Sequence, residues 1–237
     1  MILVSYWALF AAYPSPGPDF DYQDVGVNGD WTLLTGFLAH WEKNANVAAD
    51  FDCWFLNLFP RPQDKVFLFN EGGYATLNFI PSIATMLAGV LAGELLRSTR
   101  SVRTKFGTLL SVAVACLLVG SALDGTVCPI VKRIWTPSWV VYSTGWTCGM
   151  LAAFYLVIDV AGFRRWAFPL IVVGMNSIAI YVMAQLMKPF VRNQLEIHLG
   201  RSIFQGPYGD VVRSASVLLV FWVICYWMYK QKIFVKV

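Results

Sequence analysis

The stretch FGTLLSVAVACLLVGSAL, residues 106–123, carries no charged side chain over eighteen positions. A helix that crosses the hydrocarbon core of a bilayer, about 30 Å thick, needs roughly 20 mostly apolar residues. Within that core only helices and closed barrels satisfy all of their own backbone polar groups. The stretch therefore predicts a membrane span, and it indicates an all-α, polytopic membrane helix bundle.

The composition of the whole chain agrees with a lipid environment. Of 237 residues, 57% are hydrophobic and only 14% are charged, whereas a soluble domain carries about 25% charged residues. An aromatic content of 16% excludes intrinsic disorder, and 18 glycines and five cysteines are too few for a collagen-like or disulfide-dense scaffold. The net charge of +4 is spread over several short loops, which argues against a nucleic-acid partner.

Five further apolar windows bring the prediction to about six transmembrane helices. They cover residues 1–13, 75–96, 139–158, 166–187 and 214–229. The first window reaches only about 20 Å at 1.5 Å per residue, so we interpret it as a truncated helix. A signal peptide is the alternative, but no basic residue precedes Lys43. The sequence thus predicts a single membrane domain over residues 1–237, in which residues 75–229 form a bundle of five transmembrane helices.

The density of basic residues predicts the orientation in the bilayer, because short loops rich in Lys and Arg resist translocation. One set of basic residues is packed into two tight loops and the C-terminal tail. Its members are Arg97, Arg100, Arg103, Lys105, Arg164, Arg165, Lys230, Lys232 and Lys236. We expect this side, with the C-terminus, to be cytoplasmic, and the protein to lie in the cell (inner) membrane.

Residues 14–74, called the outer segment below, form a long loop between the first and second spans on the opposite side. Pro14 and the prolines that follow it cannot continue a helix. Apolar residues between Trp31 and Trp41 recur at helical spacing, which predicts a short amphipathic helix near residues 31–41. The segment holds nine acidic and three basic residues. Such an excess would concentrate amines, although outer loops are depleted in Lys and Arg by topology alone.

Polar and small residues within the predicted spans mark helix faces that avoid lipid. They are Asn78, Ser82, Thr85, Gly89 and Gly93 on one face of the second span, Gly145 and Gly149 on the fourth, and Gly174, Asn176 and Ser177 on the fifth. Tight interhelical packing explains these residues, and so does a polar cavity. For Asn78 and Asn176, a shared cavity and a shared helix contact are both consistent with the sequence.

The cysteines and histidines of the chain provide little evidence for a disulfide or a metal site. Only Cys53 and Cys128 are predicted on the outer side, where they are either free or joined by a disulfide. No metal site is expected, because the chain has just two histidines, His40 and His198, and no spaced set of Cys and His ligands.

Four stretches carry a resemblance to a known family. They are TLNFIPSIATMLAG at 76–89, PIVKRIW at 129–135, GMNS at 174–177 and KIFVK at 232–236. In their order and spacing, the chain resembles the C-terminal part of the membrane acyltransferases related to heparan-α-glucosaminide N-acetyltransferase. The resemblance implies a multi-pass enzyme that transfers an acetyl group from cytoplasmic acetyl-CoA to an amino sugar or other glycan on the far side of the membrane.

The resemblance assigns no catalytic residue, because the family's acetyl-accepting histidine lies in an N-terminal part that has no counterpart here. A separately encoded N-terminal half could supply it. Lys132 and Trp135 match the family's Pro-x-Asn-Lys-x-Leu-Trp pattern, whereas Val131 and Ile134 depart from it. A non-catalytic membrane scaffold and a small-molecule transporter are the alternative functions, and a homo-oligomer is compatible with each of them.

The residues themselves suggest two roles in acyl transfer. Amide donors could stabilise a developing oxyanion, and arginines could attract the phosphates of CoA, although topology alone also explains the arginines. The candidate pocket residues are Asn78, Ser82, Thr85, Lys132, Trp135, Asn176 and Ser177, and the candidate CoA-binding residues are Arg97, Arg100, Arg164 and Arg165.

Overall fold

The computed structural model describes residues 1–60 and 65–235, and the regular secondary structure of those residues is entirely helical. Four helices are long and apolar enough to cross a membrane: Thr76–Arg97, Val102–Leu123, Pro137–Val160 and Gly209–Lys230. The chain is a multi-pass membrane protein with an all-α fold, as its sequence predicts. Arg61 and Asp64, which are among the charged residues counted in the outer segment, lie outside the described residues, as does Lys236 of the C-terminal tail.

The chain divides into two compact units, Met1–Leu156 and Val157–Val237. The first contains α1 (Ile2–Ala11), α2 (Val47–Leu56), α3 (Phe79–Arg97), α4 (Val102–Leu123) and α5 (Pro137–Phe154). The second contains α6 (Phe168–Gly174), α7 (Ser177–Leu186), α8 (Lys188–Leu199) and α9 (Gly209–Lys230). The boundary falls within a π-helical turn, Tyr155–Val160, that follows α5.

Side-chain caps fix where three helices of the first unit begin. The amide oxygen of Asn46 accepts from the backbone N–H groups of Ala48 and Ala49 at the start of α2. Ser101 and Thr136 do the same for α4 and α5, and Pro137 occupies the first turn of α5. Caps of this kind satisfy backbone donors that have no partner inside the helix.

Glycine allows α4 and α5 to approach each other closely. A Cβ at Gly145 would lie 2.8 Å from Leu117 Cγ and 3.0 Å from Ala113 O, and a Cβ at Gly120 would lie 2.8 Å from Tyr142 Cβ. Gly89 and Gly93 are the small residues of the second predicted span, for which close helix packing is one of the explanations given above. Within the described chain nothing lies within 4 Å of a Cβ at Gly89 or Gly93, so these two glycines of α3 do not form a helix contact there.

The outer segment folds over α1. Trp41 is 1% exposed and packs with Phe10, whose ring centroid lies 6.2 Å away in a stacked arrangement. Tyr6 donates from its hydroxyl to the Ile134 carbonyl at 2.9 Å. The helix predicted near 31–41 is shorter than expected, a 3-10 helix over Gly36–Trp41, and α2 is a helix that the sequence analysis does not predict. α1, with ten residues, is an apolar helix shorter than a span.

The fifth predicted span is broken. The sequence predicts a single span over residues 166–187, but Arg165–Gly174 and Ser177–Leu186 meet at an angle of 66°. Asn176 lies at the break with φ −131° and ψ 40°, which is not helical. The second unit packs α7 and α8 against α9 around Met183, Val191 and Phe221. A salt bridge of 3.1 Å from Arg213 on α9 to Glu196 on α8 adds to this packing.

The close approach of α4 and α5 predicts that Gly145→Leu destabilises the protein while Gly89→Leu does not. The added side chain at 145 must displace Leu117 and the backbone of α4, and overpacking typically costs about 1–3 kcal/mol. We expect the melting temperature of the purified protein in detergent to fall for Gly145→Leu and to hold for Gly89→Leu, because a Cβ at position 89 has no described atom within 4 Å. Equal melting temperatures for the two variants would contradict the packing described here.

Candidate functional site: a cleft between α3, α4 and α5

A cavity of about 510 Å³ lies between α3, α4 and α5. Its volume is in the range of small-molecule sites, which run from roughly 300 to 1,000 Å³. The residues that line it are Ala88, Leu91, Ala92, Glu94, Leu95, Ser98, Arg100, Thr108, Leu109, Val112, Thr144 and Cys148. We call this cavity the cleft. It is mostly apolar, with a few polar groups that could orient a ligand.

Helical spacing explains why these side chains meet. Ala88, Leu91, Ala92 and Leu95 recur at three- and four-residue intervals, so they form one stripe of α3. Thr108 and Val112 on α4, and Thr144 and Cys148 on α5, are each four residues apart. The alanines leave room that larger residues would fill, and the cleft therefore follows from small residues on the face of α3 that is turned toward α4 and α5.

The charged residues of the cleft lie at one end. Ser98 and Arg100 follow the last residue of α3, and Ala88 lies ten residues earlier, about 15 Å along the helix. We call the end at Ser98 and Arg100 the mouth. Glu94 and Arg100 are exposed there, and within the described ranges neither forms a salt bridge.

Hydrogen bonds fix the turn that carries Arg100. Lys105 Nζ donates to the Leu96 carbonyl at 2.7 Å, and Ser98 Oγ donates to the Leu95 carbonyl at 2.6 Å, so both occupy acceptors at the end of α3. Ser101 Oγ accepts from the Thr104 N–H at 3.2 Å at the start of α4. These bonds fix the backbone on both sides of Arg100, between two capped helix ends.

Of the four arginines suggested for CoA, the structure places Arg100 in the cleft. Arg97 is exposed at the end of α3 and is not a lining residue. In the second unit, Arg164 Nε donates to the Ile158 carbonyl at 3.2 Å, and Arg165 is exposed. Glu94, Thr108, Thr144 and Cys148 were not predicted as site residues, although Glu94 is the one charged position of the window 75–96.

Four of the candidate pocket residues meet at the opposite end of α3. Asn78 Nδ2 donates to the Arg133 carbonyl at 2.6 Å, and Ser82 Oγ donates to the Asn78 carbonyl at 2.7 Å. Trp135 Nε1 donates to Thr85 Oγ1 at 3.2 Å. The polar face of α3 thus docks the 129–136 loop, and Asn78 Oδ1 is buried there with no hydrogen-bond partner among the described residues. Lys132, in the same loop, is exposed.

In the second unit, Asn176 binds the C-terminal tail. Its side chain is fully buried, with Nδ2 donating to the Ile233 carbonyl at 3.2 Å and Oδ1 accepting from the Val235 N–H at 3.1 Å. Both atoms of the amide are therefore used inside this unit. Ser177, the next residue, is exposed and begins α7.

Two carboxylates of the acidic outer segment are structural. Glu42 is 1% exposed and accepts from Trp31 Nε1 and from the N–H groups of Leu34 and Lys43. Asp52 is 4% exposed and accepts from the Thr76 N–H with both oxygens, at 3.1 and 3.0 Å. Buried carboxylates that accept several backbone hydrogen bonds order the chain, so fewer acidic groups face an incoming ligand than the sequence count implies.

The described residues include two free cysteines outside the spans and no group of metal ligands. Cys53 and Cys128 are free thiols, and burial raises the pKa of each above its usual range, which lowers their reactivity. In the part of the chain that the structure describes, no three His, Cys, Asp or Glu side chains are grouped to hold a metal ion.

Comparison with known proteins supports the resemblance seen in the sequence. No protein-family model matches the chain. The chain is 29% identical over 251 residues to heparan-alpha-glucosaminide N-acetyltransferase of Mus musculus, and 28% identical over 252 residues to the protein of the same name of Homo sapiens. Each match covers 100% of this chain and 36% of the relative, in the C-terminal part of that protein. The chain thus spans about a third of the length of the curated relatives it matches.

The two bonds of Asn176 predict that Asn176→Leu releases the tail. With the Oδ1 acceptor removed, we expect hydrogen exchange at the Val235 amide to accelerate roughly tenfold, the equivalent of one lost hydrogen bond. Hydrogen–deuterium exchange with mass spectrometry measures this directly. Ser177→Ala, an exposed neighbour, is the matched control and should exchange as the wild type does. Unchanged protection in Asn176→Leu would show that the tail is held by other contacts.

Proposed function

We propose that this chain is part of a membrane acyltransferase that moves an acetyl group from acetyl-CoA to an amino sugar or other glycan. The observation that carries the proposal is the similarity to two heparan-alpha-glucosaminide N-acetyltransferases along the whole chain. The cleft supports it, because it is mostly apolar and carries the Arg100 guanidinium at its mouth beside the Glu94 carboxylate. The guanidinium fits a thioester donor whose head group is anionic.

The residues of the cleft fit a CoA-linked donor. Arg100 would pair with a phosphate of the head group, and its planar guanidinium suits that geometry. Ser98 and Thr108 would offer hydroxyls to the amides of the pantetheine arm. Bound there, acetyl-CoA supplies the activated acyl group, and the chain binds and orients it in a site that apolar side chains keep dry.

Acetylation of an amine replaces the thioester C–S bond with a C–N bond, and the proton lost by the amine passes through a base to the departing CoA thiolate. A base must therefore lie near the acceptor. Neither histidine of this chain is assigned that role. His40 Nδ1 lies 2.7 Å from the Tyr13 carbonyl, outside the cleft, and His198 is exposed on α8. We propose that the base comes from polypeptide matching the rest of the relatives' length, in the same chain or in a separately encoded half.

We also propose that the α3–α4 turn faces the cytoplasm, where acetyl-CoA is made available to the mouth of the cleft. The density of Arg97, Arg100, Arg103 and Lys105 supports this orientation. Because basic residues are enriched on the cytoplasmic side, Lys230 and Lys232 also support a cytoplasmic C-terminus for a protein of the inner membrane. The outer segment then meets the glycan acceptor on the far side.

Cysteine labelling tests the orientation. In a variant whose native cysteines are replaced, a membrane-impermeant maleimide applied to sealed cells should label Asp24→Cys in the outer segment. Thr99→Cys, exposed in the α3–α4 turn, should react only after permeabilisation. Labelling of Thr99→Cys in sealed cells would place the mouth of the cleft on the outside and overturn the proposed donor route.

Binding of radiolabelled acetyl-CoA to the purified protein in nanodiscs tests the donor site. We expect saturable binding that unlabelled CoA displaces, and a loss of roughly tenfold in affinity for Arg100→Gln, the scale of one charge-assisted hydrogen bond. Arg201→Gln removes an exposed cation of the second unit and should bind as the wild type does. Absence of displaceable binding would favour a scaffold or a transporter over an acyltransferase.

A further inference from the structure

We propose that the second unit forms a water-filled chamber inside the membrane that binds a small oxyanion, such as a carboxylate or a phosphate. The residues that line this chamber are Lys188, Pro189, Arg192, Asn193 and Glu196, all on α8. The inference concerns a different part of the chain from the cleft. It does not depend on the binding of acetyl-CoA or on the proposed acyl transfer.

α7 and α8 form an almost continuous helix. Only Met187 separates them, and its N–H donates to the Met183 carbonyl at 2.8 Å while its carbonyl accepts from the Val191 N–H at 2.9 Å. Both bonds join residues four apart, as in an α-helix, so the periodicity of the side chains continues from α7 into α8. Pro189, which has no N–H to donate to the Gln185 carbonyl, accounts for the interruption.

Two contacts fix the position of this helix along α9. Asn176, which precedes α7, binds the Ile233 carbonyl just beyond the end of α9. Glu196 on α8 forms its 3.1 Å salt bridge with Arg213, near the start of α9. Twenty residues separate the two contacts on each side, which corresponds to roughly 25 to 30 Å of helix. α7 and α8 therefore run antiparallel to α9 over the thickness of a bilayer core.

This register places charged residues of α8 at the middle of the membrane. Counted from the salt bridge, Lys188 lies level with Phe221. By the same count Arg192 lies level with Val217, and each of the two is within about 4 Å of the midpoint of α9. Val191 packs in one apolar cluster with both of these α9 residues, as the register requires. A charged side chain at this depth is costly unless it faces protein or water.

Lys188 and Arg192 belong to a polar stripe that follows the whole length of α7 and α8. Its members recur at intervals of four, four, three, four and four residues, which places them on one face of a helix. They are Ser177, Tyr181, Gln185, Lys188, Arg192 and Glu196. All except Glu196 are exposed, whereas Met183 and Val191, which lie off the stripe, are buried against α9. A polar stripe that avoids α9 and is unfavourable in lipid indicates an aqueous space beside it.

The chamber lies on the deep part of this stripe and carries an excess of positive charge. Its volume of about 270 Å³ equals that of roughly nine water molecules at about 30 Å³ each. The one carboxylate of the chamber, Glu196, is paired with Arg213 at 3.1 Å and with Arg192 at 3.3 Å. Asp210 pairs with Arg213 as well. Lys188 has no salt bridge with any residue that the structure describes, so its charge is available to a ligand.

The two cations of the chamber suit an oxyanion. Lys188 and Arg192 are four residues apart on one helix, a spacing that brings side chains to within about 5–6 Å of each other at their Cβ atoms. One carboxylate or phosphate can therefore accept from both, bidentately from the guanidinium and singly from the ammonium. Water of low mobility beside hydrocarbon screens charge less than bulk water does, which strengthens the attraction.

The experiment measures how fast charged reagents modify a cysteine in the chamber. Asn193→Cys is introduced into the full chain after its native cysteines are replaced, and the protein is reconstituted in nanodiscs. One methanethiosulfonate reagent carries a sulfonate and the other a quaternary ammonium group. We expect both to react. After correction for its rate with free 2-mercaptoethanol, the sulfonate reagent should react roughly tenfold faster, since the local charge attracts it.

Three control variants identify the cause of that preference. Lys188→Gln in the same background should reduce it to about twofold, whereas Lys188→Arg, which keeps the charge, should retain it. Leu219→Cys tests the depth, because Leu219 is 61% exposed on α9 and lies level with α8. It should react with neither reagent, since hydrocarbon excludes both ions. If Asn193→Cys does not yield folded protein, Gln185→Cys makes the same measurement on the stripe.

Each alternative gives a different result. Failure of both Asn193→Cys and Gln185→Cys to react overturns the proposal, because the stripe would then be covered by protein or lipid. Reaction of Leu219→Cys at a similar rate also overturns it, because α8 would then lie outside the hydrocarbon. Equal corrected rates for the two reagents, or a sulfonate preference that Lys188→Gln leaves unchanged, would contradict the oxyanion site.

Discussion

Hydrocarbon offers no hydrogen-bond partner to a backbone amide, and this constraint governs the rest of the structure. Each long apolar stretch must form a helix, and helices that are equally apolar on all sides gain little by leaving lipid for each other. Their packing then depends on where small residues allow close approach. In the first unit Gly120 and Gly145 bring α4 and α5 together, whereas a Cβ at Gly89 or Gly93 of α3 would have no described atom within 4 Å. The cleft lies where α3 faces that close pair.

Outside the spans, the chain is ordered by buried polar groups in addition to the apolar cluster around Phe10 and Trp41. Glu42 and Asp52 each accept hydrogen bonds from backbone N–H groups, and Asn46 donates to the Glu42 carbonyl at 2.6 Å while it caps α2. Such groups are costly to bury without partners and stabilising once they have them. Glu42 and Asp52 are two of the nine acidic residues counted in the outer segment. They hold that segment in place beside the 129–136 loop and are not available to attract an amine.

The spans could be predicted from sequence because hydropathy and length are local properties. The break in the fifth span could not, because Asn176 leaves the helix to bind Ile233 and Val235, more than fifty residues away. Of the predicted polar face of α3, Asn78 and Thr85 bind the 129–136 loop, whereas a Cβ at Gly89 or Gly93 has no described atom within 4 Å. Arg100 was predicted to bind the donor, whereas Thr144 and Cys148 join the cleft only through the placement of α5, which no pattern in the sequence specifies.

The central claim is that the cleft between α3, α4 and α5 is the place where the donor binds. An electron cryo-microscopy structure of the protein in nanodiscs with acetyl-CoA tests it most directly. The account predicts density for the CoA head group beside Arg100 and density for the thioester between α3 and α5, on the α3 side of Cys148. Density for CoA at any other surface, with the cleft filled by lipid, would contradict it.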